Sequence, residues 1–338
     1  MNIMPNNLKR QYELFATEYE QKACEVLRSG WYILGKELDS FEQEWAAHIG
    51  TRYCIGLASG LDALWMSFRI LGIGKGDEVI VCANAYIACI MGITINGATP
   101  TFVEPDSYDN IDAEKIEEKI TPRTKAILAV HLYGQCCDMT RILELARQYN
   151  LKVVEDCAQS HGNHWHGKTA GTFGDISCFS FYPSKGCGAF GDAGAIVTNN
   201  EKIADQFRVY RNYGSRIRYQ NEVVGTNSRL DELQAGLLRV KLQHLEQLNQ
   251  ERVEIADRYT NGIQNLLIRL PKIRPGADST WHQYVVHVAN GRRNDLMDYL
   301  KDKGVGTLIH YPIPPHLSRA YQELGYQRGD FPIAEQYA

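Results

Sequence analysis

The sequence predicts an α/β protein with a mostly parallel sheet in a large domain, followed by a smaller α+β domain. Three observations lead there. Short apolar runs bounded by turn residues alternate with stretches of helical periodicity through the first two hundred residues. A long helical region with few breakers follows, roughly Arg229 to Leu266. After Pro271 the pattern changes to strand, helix, strand over Gln283–Val288, Arg293–Lys303 and Val305–Leu308. A chain of 338 residues is long enough to bury the cores of two such domains.

The elements run in order. An amphipathic segment, Leu8–Ser29, opens the chain. The apolar runs are Tyr53–Ala58, Glu78–Cys82, Thr101–Val103, Ala126–Val130, Lys152–Val154, Ile176–Phe181 and Ala195–Thr198. Helical patterns lie between many of them: Asp62–Leu71, Ile87–Ile95, Ala113–Ile120 and Arg141–Tyr149. The last two runs are joined by loop rather than helix, a local departure from simple winding. The boundary falls near residue 240, giving a large domain over 1–240, with an N-terminal arm, and a small one over 241–338. The final residues, Phe331 to Ala338, read like a helix just starting, so the small domain is expected to be cut short.

Composition narrows the function. A formal net charge of -4 offers no basic surface to nucleic acid or acidic membrane. Nine cysteines, an odd number without any C-x-x-C pair, fit reduced thiols rather than zinc ligands or a disulfide framework. No metal is expected. The N-terminus lacks the apolar core of a signal peptide, and the longest apolar stretch, Val79 to Ile95, is broken by Asn84 and Tyr86. The expected location is the cytoplasm.

Four segments carry chemistry. Asp156 closes the apolar run Val153-Val154-Glu155, and in a parallel sheet that end faces the ligand crevice. A carboxylate there can keep a pyridine nitrogen protonated, although a lone strand-end Asp more often caps the next helix. Gln159 and His161 follow closely and can face the same crevice. Lys185 stands just past another apolar run, in Phe179-Ser180-Phe181-Tyr182-Pro183-Ser184-Lys185, among aromatics and glycines that can strip some of its hydration. Most lysines are solvated surface charges; its conjunction with Asp156 sets this one apart. Ser59-Gly60-Leu61-Asp62 opens a helix after a strand, where free amides and the helix dipole suit a phosphate, with Ser180 able to add a hydroxyl. Leu308-Ile309-His310-Tyr311-Pro312 is a proline-stiffened loop that can present His310 and Tyr311 to a ligand, with Tyr182 approaching from the lysine side. Gly186-Cys187-Gly188-Ala189-Phe190-Gly191 matches the dinucleotide fingerprint literally, but a strand pattern rather than a helix follows it. A nicotinamide oxidoreductase and a non-catalytic regulator stay open as alternatives on these residues alone.

Taken with Asn227-Ser228-Arg229-Leu230-Asp231-Glu232, these segments strongly resemble the DegT/DnrJ/EryC1/StrS sugar aminotransferase family, from about Gly30 to Asp330. The resemblance implies the fold type I architecture of pyridoxal-phosphate enzymes and a homodimer with active sites at the subunit interface. It makes Lys185 the Schiff-base lysine, Asp156 the partner of the pyridine nitrogen, Gln159 a hydrogen-bond donor to the ring's phenolic oxygen and Tyr86 the stacking residue. Gly60, Leu61 and Ser180 would hold the phosphate, joined by Asn227 from the other subunit. His161, Tyr182 and Tyr311 are the expected substrate contacts, and Lys185, Asp156, His310 and Tyr182 the expected catalytic set. The nearest branch acts on dTDP-3-keto-6-deoxyhexoses, as Gly30-Trp31-Tyr32-Ile33-Leu34-Gly35 and Gly306-Thr307-Leu308-Ile309-His310-Tyr311-Pro312 suggest. The implied reaction is a two-half transamination from L-glutamate to a dTDP-keto-sugar for a cell-surface glycan, in which the freed Lys185 amine moves the proton. The same chemistry on a 4-keto sugar is the alternative. One departure is Lys185-Gly186-Cys187-Gly188, where members commonly carry Lys-Asn-Leu-Gly. Another is Leu61 with Trp65, in place of the commoner threonine version, which leaves phosphate binding there to backbone groups.

Overall fold

The computed structural model describes residues 3–338. All seven apolar runs are strands of one sheet. They are β1 (Tyr53–Leu57), β2 (Glu78–Cys82), β3 (Thr99–Val103), β4 (Thr124–Val130), β5 (Lys152–Asp156), β6 (Ile176–Ser180) and β7 (Gly194–Thr198). Their order across the sheet is β1-β7-β6-β5-β4-β2-β3. Pairing is parallel from β6 through β5, β4 and β2 to β3, while β7 runs antiparallel to both of its neighbours. The strands are runs rather than alternations because helices cover both faces, so side chains pointing either way are buried. Every residue of β2 and β7, for example, is buried.

The reversed β7 positions the site. Because β7 starts where β6 ends, residues 181–193 form a loop at the carboxyl edge of the parallel strands. Gly194 pairs with both Leu57 and Ser180, so the ends of β1 and β6 flank the start of β7. A Cβ on Gly194 would lie 2.3 Å from the carbonyl carbon of Ser59, so only glycine lets the next helix start cross this point.

The helix Gly60–Ile70 begins there, capped by Ser59, whose hydroxyl accepts the Asp62 amide at 3.1 Å. Trp45, on the helix Lys36–Ile49, is fully buried against Phe41, Phe179, Phe181 and His161. Glu232 ties that helix to a distant one: its carboxylate accepts the amides of Gly35, Glu37 and Leu38 at 2.8, 2.9 and 3.1 Å, filling the helix N-terminus from outside.

Some elements depart from the sequence pattern. The segment Leu8–Ser29 breaks at Phe15 into Leu8–Leu14 and Ala16–Ser29. The long helical region breaks at His244 into Glu232–Gln243 and Leu245–Gly262, with the Phe15 ring stacked 3.8 Å from the His244 ring. Ala113–Ile120, expected to be helical, instead forms two single 3₁₀ turns, Ala113–Lys115 and Glu117–Lys119. In the last third, His287–Val288 pairs with Ile268–Arg269, and Val305 makes a single parallel bridge to Ile3. No helix among the described residues is long and apolar enough to cross a membrane.

Candidate active site

The site lies at the carboxyl edge of β5 and β6. Asp156, the last residue of β5, is buried. Its Oδ1 accepts the Ala158 amide at 3.0 Å, and its Oδ2 faces the thiol of Cys89 at 3.0 Å. Lys185 is half-buried in the loop after β6, its amide bonded to the Tyr182 carbonyl at 2.8 Å. Burial pushes its ammonium below the ordinary lysine value, while the charge of Asp156 pulls the other way. That makes the amine easier to deprotonate, as a nucleophile and proton carrier requires.

Three imidazoles lie around this lysine, and all are held toward the neutral form. Burial, with the charge of Lys185 next, pushes His161 and His282 well below the usual histidine value and lowers His310. His161 is 2% exposed; its Nδ1 accepts the Cys187 amide at 3.0 Å, and its Nε2 has no partner. It therefore braces the lysine loop from beneath and does not sit on the open face with Tyr182 and Tyr311. His310 shares a 2.8 Å contact between its Nε2 and Gln283, and its carbonyl accepts the Tyr133 hydroxyl at 2.8 Å.

On the other side of the crevice, Gln159 accepts the Tyr133 amide at 2.6 Å and donates to the Tyr311 hydroxyl at 3.0 Å. The Tyr86 ring, half exposed, lies 5.0 Å from that of Tyr311. Tyr182 is also half exposed at the mouth. Asn227 is exposed beside Ser228, whose hydroxyl joins the Ala58 amide to the Asp62 carboxylate at 3.1 and 2.7 Å.

Pyridoxal phosphate fits this arrangement. At the start of Gly60–Ile70 the amides of Gly60 and Leu61 meet no protein acceptor among the described residues, which leaves a cradle for phosphate. A Cβ on Gly60 would sit 2.6 Å from the Ser180 Cβ, so glycine is what lets Ser180 close that cradle. Buried Asp156 could then offer an acceptor for a ring nitrogen, and half-buried Lys185 an amine for a Schiff base.

Sequence reasoning missed Cys89, Tyr133 and His282. Cys89 had a usable signal: it is three residues past Tyr86, on the first turn of the helix Ile87–Thr94. Tyr133, at a positive φ of 62°, and His282 had none. A separate polar cluster lies behind the site. His131, Glu155 and Cys157 gather within 4.8 Å, but Glu155 already accepts from Gly171, Phe173 and Gly174 amides, the Ser177 hydroxyl and His131. It fastens the loop between β5 and β6.

The sequence pattern of the DegT/DnrJ/EryC1/StrS aminotransferase family matches residues 15–338. The chain is 53% identical to the dTDP-3-amino-3,6-dideoxy-alpha-D-galactopyranose transaminase of Aneurinibacillus thermoaerophilus, over 95% of this chain and 88% of that one. The crystal structure of Streptomyces venezuelae DesV, solved with a ketimine intermediate, superposes with a TM-score of 0.97 at 44% identity, covering 100% of this chain and 91% of the other. The Bacillus subtilis protein NtdA, solved with bound cofactor PMP, gives 0.87 at 33% identity over 95% and 75%.

Proposed function

The chain belongs to the DegT/DnrJ/EryC1/StrS aminotransferase family, and from that premise we propose that it moves the amino group of L-glutamate to a dTDP-linked 3-keto-6-deoxyhexose. It is an aminotransferase, and its cofactor is pyridoxal 5'-phosphate. The product on this reading is a 3-amino-3,6-dideoxyhexose for a cell-surface glycan. The observation that carries the sugar assignment is the near full-length likeness to the Aneurinibacillus transaminase, whose name specifies that amino sugar on dTDP.

When bound, the cofactor supplies an electron sink for charge developing on the carbon next to nitrogen. The residues divide the remaining work. Asp156 would accept a hydrogen bond from the protonated ring nitrogen, Gln159 would donate to the phenolic oxygen, and Tyr86 would cover a ring face. Gly60, Leu61 and Ser180 hold the phosphate together with Asn227 of the partner subunit. The Lys185 amine would carry a proton between the amino-acid α-carbon and the cofactor carbon, and its lowered proton affinity keeps more of it in the free-base form that can do so. His310, Tyr311 and Tyr182 stand at the mouth, where they meet the sugar. The large domain ends near residue 240, and the small domain carries His310 and Tyr311 back onto it.

The proposed assembly is a homodimer. Its support is the family resemblance, together with large apolar side chains left exposed in the single chain, among them Trp31, Tyr32, Tyr219 and Val224. The proposed location is the cytoplasm, consistent with nine free cysteines, eight of them buried.

The test is product analysis. Purified protein receives glutamate with a dTDP-3-keto-6-deoxyhexose and, separately, with the 4-keto isomer. Nitrogen on C3 in the product NMR spectrum supports the assignment; nitrogen on C4 with no turnover of the 3-keto sugar defeats it. Mixing Asn227→Ala with Lys185→Ala protein should restore activity in hybrid dimers, and a fully active monomer in scattering would exclude the shared site.

A further inference from the structure

Cys89 is buried on the first turn of the helix Ile87–Thr94, its amide bonded to the Tyr86 carbonyl at 2.9 Å. Its Sγ lies 3.0 Å from Asp156 Oδ2, while the Ala158 amide holds Oδ1. Each carboxylate oxygen thus has one protein donor, and lone pairs remain for a further N–H. Burial first, then the negative charge of Asp156, pushes the Cys89 thiol well above its usual value, so the proton stays on sulfur. The donor is therefore a neutral S–H, weaker than a hydroxyl or an ammonium.

We propose that Cys89 is a positioning residue for the cofactor ring: its thiol fixes Asp156 Oδ2 with a weak hydrogen bond that orients the carboxylate while leaving its charge available to the ring nitrogen. The inference rests on the reading of Asp156 as the partner of that nitrogen. A hydroxyl at position 89 would share more of the Oδ2 charge, and Asp156 would then hold the ring proton less firmly. A ring nitrogen held less firmly withdraws less electron density, so the Schiff base formed by Lys185 becomes more basic. An apolar side chain at position 89 acts in the opposite sense.

The same geometry links Tyr86 to Asp156. Tyr86 immediately precedes the helix whose first turn carries Cys89, so one short stretch contributes both the proposed ring-stacking side chain and the donor to the carboxylate. A shift of this turn would move both.

The test compares Cys89→Thr with Cys89→Val, two side chains of the same shape that differ in the hydroxyl. In holoenzyme without substrates, the visible absorbance of the cofactor is titrated against pH. The midpoint of the Thr variant should lie above that of the Val variant by at least about half a pH unit, the scale of a modest hydrogen-bond difference. Cofactor affinity, read on stripped protein by quenching of tryptophan fluorescence, should be tighter for Val than for Thr. Coincident midpoints and affinities in two folded variants would overturn the role of Cys89. Should either variant not fold, Cys89→Ser against Cys89→Ala makes the same comparison in smaller side chains. Asp156→Asn is the control. If it leaves the titration unchanged, the reading of Asp156 fails; if it responds while the position-89 pairs do not, only the role of Cys89 fails.

Discussion

The Gln159 side-chain amide donates to the Tyr311 hydroxyl across 3.0 Å, joining the turn after β5 to a loop 152 residues further along the chain. The other end of the same amide accepts the Tyr133 amide, and the Tyr133 hydroxyl bonds the carbonyl of His310, next to Tyr311. Two residues distant in sequence, Gln159 and Tyr133, therefore hold the loop of His310 and Tyr311 against the crevice.

This arrangement predicts unequal losses. Tyr311→Phe removes one acceptor and keeps the ring against Tyr86, so unfolding in urea should register a loss of about 1 kcal/mol. Gln159→Leu also strands the Tyr133 amide and should cost about 2–3 kcal/mol. A Phe variant that loses more stability than the Leu variant would contradict the linkage.

Lys185→Ala should lower turnover by at least about 10²-fold while leaving the circular dichroism spectrum unchanged, since the amine serves proton transfer rather than packing. The folded-state proton affinity of Lys185 lies below the ordinary lysine value, because burial opposes the charge. The unfolded chain consequently binds more protons at pH values between the lowered value and the ordinary one. Stability of cofactor-free protein should rise with pH across that window, and the rise should be smaller in Lys185→Ala. Asp156→Asn, which removes the opposing attraction, should shift reductive methylation of Lys185 to still lower pH.

Glu155→Gln should destabilise the protein by about 3–5 kcal/mol, because a buried carboxylate with five donors is replaced by an amide that cannot accept them all. Burial alone would raise the Glu155 carboxyl, but donation from His131 and the loop amides holds it below the usual carboxylate range. Its contribution is therefore complete above the ordinary carboxylate value and lost as pH falls through the lowered one. Melting temperatures of wild type and variant should converge in acid; a constant gap down to acid unfolding would refute this.

Gly194→Ala should be severe for its size. The added methyl meets the Ser59 backbone at 2.3 Å, and backbone cannot rotate away as a side chain can. A loss of about 1–3 kcal/mol is expected, with weaker cofactor retention on dialysis because the Gly60 amide moves with Ser59. Retention equal to wild type would show that the cradle does not depend on this crossing.

The sequence by itself determined the strands of the main sheet and the pair at its edge. A sheet covered on both faces writes its strands as unbroken apolar runs, and a residue at or just past the carboxyl end of a parallel strand can face the crevice. That logic located Asp156 and Lys185 without coordinates. Local signals also placed Ser59 as a cap and Gly60 at a helix start. Only the tertiary structure decided what surrounds them. The reversal of β7, which brings Gly194 between Leu57 and Ser180, is a choice among pairings that the runs Ile176–Phe181 and Ala195–Thr198 allow equally. The Cys89 thiol on Asp156, Tyr133 on Gln159 and the imidazole of His282 near Lys185 join segments from separate elements. Such contacts depend on register and packing angle, which arise when apolar faces close on one another, and periodicity along a single chain does not encode them.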